Sequence, residues 1–198
     1  METLPVENSN IRALIFDFGG VLVQGSAVPT LTQFGERLGL PVERWIESLF
    51  GTAWREADGI GAWLLRKVLL LMETLWQRYY GARWLQRDVL ELIEQMQGRY
   101  QIALLSNASD QLERLLSEPL GIRHLFDAVV VSAQEGVAKP NPAIYQVALD
   151  RLGITPEQAL FVDDMDLNTS VASRIGMDTI TYRASFDLRL QLKLRGLL

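Results

Sequence analysis

The chain has 198 residues, 48% of them hydrophobic, with a formal net charge of −5, no cysteine and a single histidine, His124. That length suits one domain, or one domain with an insertion, and supplies enough apolar residues for a sizeable core. The acidic balance argues against nucleic acid as a partner, because phosphate-binding surfaces are basic; the lack of cysteine excludes disulfides, thiolate metal sites and cysteine nucleophiles and fits a cytoplasmic location; one histidine excludes a zinc–histidine cluster.

The N-terminus, Met1 to Glu7, has neither a basic start nor an apolar core and does not read as a secretory signal; residues 1–10 are expected to be a loose polar tail. Arg12 to Phe16 is a short apolar run closed by Asp17 and Gly19-Gly20, the pattern of a buried parallel strand. The two glycines let the backbone turn sharply and approach a ligand closely. From Gln24 to Ala82 no strand pattern is found. Leu31, Phe34 and Leu38 fall at helical spacing, Pro41 can open a helix carrying Trp45, Ile46, Leu49 and Phe50, and a third helix is expected from Gly61 to Tyr80. The most apolar stretch, Val68 to Met72, is far shorter than the ~20 residues that span a bilayer, so no membrane segment is expected. The segment reads as an all-helical insertion over residues 24–83, within a core formed by residues 1–23 and 84–198. All five tryptophans, Trp45, Trp54, Trp63, Trp76 and Trp84, fall in or just after it and are read as its core, while Arg55 is either a solvated charge or an anion contact.

Strand and helix then alternate. A helix is expected from Gln86 to Gln97 with Val89, Leu90, Ile93 and Met96 as its stripe, a strand over Gln101–Leu105, and a helix from Ser109-Asp110 to Pro119. His124, in a turn, is read as a surface or satisfied residue. Ala128–Val131 is a third strand. Asn141 caps a helix with Pro142 at its first position, which runs to Leu152 and stops at Gly153. Thr155 to Gln158 resembles a capping box on one short turn. Leu160–Val162 is a fourth strand, Leu167–Ile175 a helix and Thr179–Tyr182 a fifth strand. Short links between alternating strands and helices argue for parallel βαβ units, an α/β fold. The stretch from Phe186 to Leu198 alternates Arg and Leu with helical character and is expected to pack on the core or on a second subunit of a homodimer.

Four segments place a reactive group at a strand end or in a following loop: Asp17, Ser106-Asn107, Lys139 and Asp163-Asp164. In an open parallel sheet, ligands bind beyond the carboxyl ends of the strands, so the fold gathers these groups. Three converging carboxylates repel one another unless a cation sits between them, and oxygen ligands without His or Cys select Mg²⁺ or Mn²⁺ over Zn²⁺. Asp163-Asp164 alone is also what a helix cap with a surface neighbour shows; paired with Asp17 it reads as a metal site. Asp17 beside a metal and a phosphate can attack phosphorus in line to give an aspartyl-phosphate. The backbone N–H groups of Phe18-Gly19-Gly20 can hold phosphate oxygens. Ser106 offers a hydroxyl and Asn107 an amide just before an expected helix N-terminus, an anion site that also allows simple capping. Lys139, stiffened by Pro140 and Pro142, can neutralise both the phosphate and Asp17.

Leu14 to Leu22, Leu104-Leu105-Ser106-Asn107, Lys139-Pro140 and Phe161 to Asp164 with Asn168 and Gly176 resemble, in order, the four motifs of the haloacid dehalogenase (HAD) superfamily, in the subfamily with a helical cap inserted after the first motif. The resemblance spans nearly the whole chain, although the cap matches by position and helicity only. It implies a Rossmann-like parallel sheet core, Mg²⁺ as cofactor, Asp17 as nucleophile, Ser106 and Lys139 at the phosphate, Asp163 and Asp164 as metal-side acids, and a metal contact from the Gly19 carbonyl. Most phosphatases of that family carry a second Asp two positions after the nucleophile, which protonates the leaving oxygen and then activates water; here Gly19 stands there. Such general acid–base help is worth about 10²–10⁴ in rate. Three consequences stay open: a substrate with a good leaving group, such as a sugar 1-phosphate or acyl phosphate; a proton from water or the cap; or feeble turnover. The leading expectation is a Mg²⁺-dependent hydrolase acting on a small phosphorylated metabolite. The alternatives are a 2-haloacid dehalogenase, in which Asp17 attacks carbon, and a weakly active or non-catalytic binder of a phosphorylated ligand.

Overall fold

The computed structural model describes residues 10–23, 85–118 and 120–198. The expected N-terminal tail, the helical insertion with its tryptophans and Arg55, and Pro119 lie outside the described residues. Five parallel strands form one sheet: β1 (Ala13–Phe16), β2 (Gln101–Ser106), β3 (Ala128–Val131), β4 (Ala159–Asp163) and β5 (Asp178–Thr181), in the order β3-β2-β1-β4-β5. The described helices are α1 (Arg87–Met96), α2 (Leu112–Ser117), α3 (Ser132–Glu135), α4 (Pro142–Leu152), α5 (Asp166–Arg174) and α6 (Ser185–Leu194).

The strand interiors of β1 to β4 are apolar because both faces are covered. Alternate residues point to opposite sides of a strand. Leu14, Phe16, Ile102, Leu104, Leu160 and Val162 join one buried cluster with Val89, Leu92, Ile93 and Met96 of α1 and Leu188 and Leu192 of α6. Ala13, Ile15, Ala103, Leu105 and Phe161 join the other with Ile144, Tyr145, Ala148 and Leu149 of α4 and Val171 and Ala172 of α5. The result is the three-layer, Rossmann-like arrangement expected from the sequence.

Local signals set several boundaries. The Asn141 side chain accepts from the Ala143 N–H at 3.0 Å and caps α4, with Pro142 at its first turn and Gly153 in left-handed conformation at its end. Thr155 and Gln158 form the capping box expected of that turn. Three expectations shift. The inward residue beside Val89, Ile93 and Met96 is Leu92, with Leu90 only partly buried. α2 starts at Leu112 rather than near Ser109, and the short α3 directly after β3 was not expected. In α6, Leu188 and Leu192 face the core while Phe186, Leu190 and Leu194 are exposed. No described helix is long and apolar enough to cross a membrane.

The described residues of the core break off at Val23 and resume at Leu85. These two residues pair in an antiparallel bridge, and the Gln86 N–H donates to the Leu22 carbonyl at 2.8 Å. Strand order reverses at β1, whose neighbours are β2 and β4. A reversal of this kind opens a crevice at the carboxyl ends of the strands.

Candidate active site

The sheet register assembles the site. Phe16 is level with Leu104 on one side and Val162 on the other, so Asp17 emerges beside Leu105 and Asp163. The Asp17 N–H continues the ladder to the Val162 carbonyl at 2.9 Å. Lys139 arrives from the loop between α3 and α4. Its Nζ donates to Asp163 Oδ2 at 2.7 Å and to the Leu105 carbonyl at 2.9 Å, and lies 2.8 Å from Asp17 Oδ1. Asp17, Lys139 and Asp163 are 8%, 1% and 0% exposed, so this is a buried cluster of charges. The Phe161 ring, centred 5.6 Å from Nζ, faces the same ammonium, and Tyr145 packs edge-on against that ring.

The two adjacent acids do different work. Asp163 Oδ1 accepts from the Met165 N–H at 2.8 Å and Asn168 Nδ2 at 3.0 Å; Oδ2 accepts from Lys139 and from Asn168 Nδ2 at 3.1 Å. Tyr145 in turn donates its hydroxyl to the Asn168 carbonyl at 3.1 Å. Asp163 is therefore saturated by protein donors. Asp164, half-buried, turns toward the Gly19-Gly20 turn. A Cβ built on Gly20 would lie 2.1 Å from Asp164 Oδ2, and Gly20 has φ +81°. Gly20→Ala is expected to cost about 1–2 kcal/mol through its left-handed backbone and to displace the Asp164 carboxylate; urea unfolding of the variant beside the native chain checks the loss of stability.

The electrostatics follow from burial. Desolvation raises the Asp17 carboxyl to about 7, against the lowering effect of Lys139 and with further upward pressure from Asp163 and Asp164. Burial works against the charge on Lys139, but the Asp163 and Asp17 carboxylates outweigh it and hold the ammonium above its ordinary value. Burial, then the charge of Asp163, also raises Asp164. One carboxylate oxygen each from Asp17, Asp163 and Asp164 can be chosen so that all lie within 4.8 Å of one another. Like charges at this spacing fit a hard divalent cation, and the all-oxygen donor set fits Mg²⁺.

The remaining predicted residues fall around this cluster. Ser106 ends β2 and is buried beside it. Gly19 sits in the turn after Asp17. Its bridge to Val23 is made by the flanking groups, Val23 N–H to the Phe18 carbonyl and Gly20 N–H to the Val23 carbonyl, and not by the peptide groups of Gly19 itself. Of the N–H groups expected at a phosphate, that of Gly20 is thus engaged with Val23, and that of Phe18 donates to Asp17 Oδ1 at 2.7 Å. Asn107 also has partners: its Nδ2 donates to the Lys139 carbonyl and its Oδ1 accepts from the Lys139 N–H, both at 2.8 Å. The helix expected to begin next to it starts five residues later. Sequence reasoning gave no role to Tyr145 or Ser132. Ser132 Oγ accepts from the Ala108 N–H at 3.1 Å and so fixes the loop after β2. A lone Ser or Tyr in an apolar run carries no signal of such a partner.

A glyceraldehyde 3-phosphate phosphatase of Methanopyrus kandleri is 46% identical over 77 residues, covering 38% of this chain and 32% of that protein. The chain spans half or less of the length of curated relatives that it matches. Among solved structures, a HAD-like family hydrolase from Porphyromonas gingivalis superimposes with a TM-score of 0.64 at 22% identity, over 93% of this chain and 98% of that one. A HAD family enzyme of Bacteroides thetaiotaomicron, solved with magnesium and inorganic phosphate, gives a TM-score of 0.60 at 21% identity over 88% of this chain and 95% of that one. The family model of the haloacid dehalogenase-like hydrolases matches residues 11–172, from the approach to β1 through most of α5. The chain belongs to that hydrolase family.

Proposed function

We propose that the protein is a Mg²⁺-dependent phosphatase of a small phosphorylated metabolite, with Asp17 as its nucleophile. The observation that carries this reading is a buried carboxylate, Asp17, held 2.8 Å from a buried ammonium, Lys139, beside two further acids at the strand ends. The phosphatase relative and the fold neighbour solved with magnesium and phosphate support it. Asp17 and Asp164, with the Gly19 carbonyl, would hold the ion, since the oxygens of Asp163 already serve Lys139, Met165 and Asn168. The ion supplies positive charge to the phosphoryl oxygens. Asp17 attacks phosphorus, the bond to the leaving oxygen breaks, and water then hydrolyses the aspartyl-phosphate to inorganic phosphate and free carboxylate. Lys139 and the Ser106 hydroxyl stabilise the phosphoryl charge.

The test is phosphate release from a panel of sugar, nucleotide and acyl phosphates by metal-stripped protein, with and without added Mg²⁺. Release is expected only with Mg²⁺, and faster from acyl phosphates and sugar 1-phosphates than from alkyl esters, because Gly19 brings no side chain to protonate a poor leaving group. Gly19 is not among the glycines of positive φ, so its backbone accepts a side chain. Gly19→Asp is expected to raise the alkyl-ester rate by about 10²-fold or more. No Mg²⁺-dependent release from any member of the panel would refute the reading, and metal-independent halide release from a 2-haloacid would replace it.

A further inference from the structure

We infer that Asn107 is a positioning residue for Lys139: its side-chain amide clamps the lysine's main chain to the end of β2 and thereby sets where the ammonium points. The inference rests on the reading of Lys139 as a phosphate-site group. Asn107 Nδ2 donates to the Lys139 carbonyl and Asn107 Oδ1 accepts from the Lys139 N–H, each at 2.8 Å. Both polar groups of one peptide residue are thus met by one planar amide, 32 positions away in sequence. Lys139 belongs to no helix or strand, so no ladder fixes its Cα.

Its side chain nevertheless reaches three acceptors on three strand ends: Asp17 after β1, the Leu105 carbonyl in β2 and Asp163 in β4. A flexible four-carbon stem can meet all three only if its root is held against the sheet. Asn107 directly follows Ser106, the last residue of β2, and the same loop is tied down once more by the Ala108–Ser132 bond. The clamp therefore references Lys139 to the strand that also supplies the Leu105 carbonyl and the Ser106 hydroxyl. This assigns Asn107 to the lysine rather than to the phosphate.

The test uses the full chain, free of metal and phosphate, with two NMR readouts: exchange protection of the Lys139 amide, and the nitrogen signal of its buried ammonium. In Asn107→Ala the amide is expected to lose about tenfold or more of its protection and the ammonium signal to shift or broaden. With Mg²⁺ present, kcat is expected to fall by about 10²-fold, as misplacement of a catalytic group does. Asn107→Asp keeps an acceptor for the Lys139 N–H but loses the donor to its carbonyl. It is expected to retain amide protection and still shift the ammonium signal. Unchanged Lys139 signals in ligand-free Asn107→Ala would overturn the inference, and a tenfold weaker phosphate Kd beside them would make Asn107 a direct phosphate contact. The ligand-free spectra do not depend on turnover, so a native protein without phosphatase activity would sink the proposed function and leave the clamp to be decided by the spectra.

Discussion

Lys139→Met is expected to lower phosphatase turnover by about 10³-fold and to reduce the unfolding free energy at pH 8 by about 3–5 kcal/mol. Methionine matches the lysine stem in length and packs against Phe161, so little of the loss comes from a cavity. What disappears is the charge. Asp163 is fully buried and Asp17 nearly so, and each lies within 2.8 Å of Nζ. Without the ammonium, two buried carboxylates face each other with only the amide donors of Phe18, Met165 and Asn168 in place. The penalty is expected to shrink as pH falls, because Asp17 takes up a proton, and without the ammonium that lowers its carboxyl in the native chain it does so above the native value of about 7. The native Lys139 stays charged across this range, because Asp163 and Asp17 hold it above its ordinary value; its stabilising effect is lost only as pH rises through that higher value. Urea unfolding of both proteins at pH 6 and pH 8 measures the difference. A variant as stable as the native chain at pH 8 would show that the cluster is not the charge-balanced unit described above.

Much of the sheet was legible because strands covered on both faces read as unbroken apolar runs, and each of the five was found within a residue or two. β5 is one of the two edge strands, with polar Asp178, Thr179 and Thr181 only partly buried, and its boundary moved by one residue at each end. α3 was missed because four residues are barely one helical turn and show no period. The strand order, and with it the reversal at β1, is not written in any local pattern. It depends on which strands pair across long separations.

The site was legible as a set of groups at strand ends and less so as a set of partnerships. Distinguishing Asp163 from Asp164 required knowing that the first still belongs to β4, among buried donors, while the second has left it. Gly20 was read as a turn former with an N–H for phosphate; its N–H goes to Val23, and its missing Cβ makes room for Asp164. Asn107 was read as a phosphate ligand because an amide near a helix start can bind an anion. The bonds to Lys139 became visible only when the loop after β2 and the loop before α4 were brought together.

Asp17→Asn is expected to abolish turnover, by about 10⁴-fold or more, while leaving the metal-free protein at least as stable as the native one at pH 8. The two effects have one cause. Burial raises the Asp17 carboxyl from 3.8 to about 7, so ionising it inside the metal-free fold is unfavourable even beside Lys139. Between pH 4 and pH 7 the native state keeps a proton that the unfolded state has released, and stability therefore falls as pH rises through that window. A neutral amide at this position removes that slope, and Lys139 keeps Asp163 as its partner at 2.7 Å. Ion binding favours the ionised carboxylate, so Mg²⁺ affinity of the native protein is expected to climb from pH 6 to pH 8 with release of a proton, whereas the variant binds Mg²⁺ weakly and without that climb. Thermal unfolding against pH and calorimetric Mg²⁺ titration in two buffers of different ionisation heat separate these outcomes. A native metal-free protein whose stability does not fall between pH 4 and pH 7, with a Mg²⁺ affinity flat across pH 6 to 8, would mean that Asp17 is already an ordinary ionised surface acid. The buried nucleophile on which the phosphatase reading stands would then be absent.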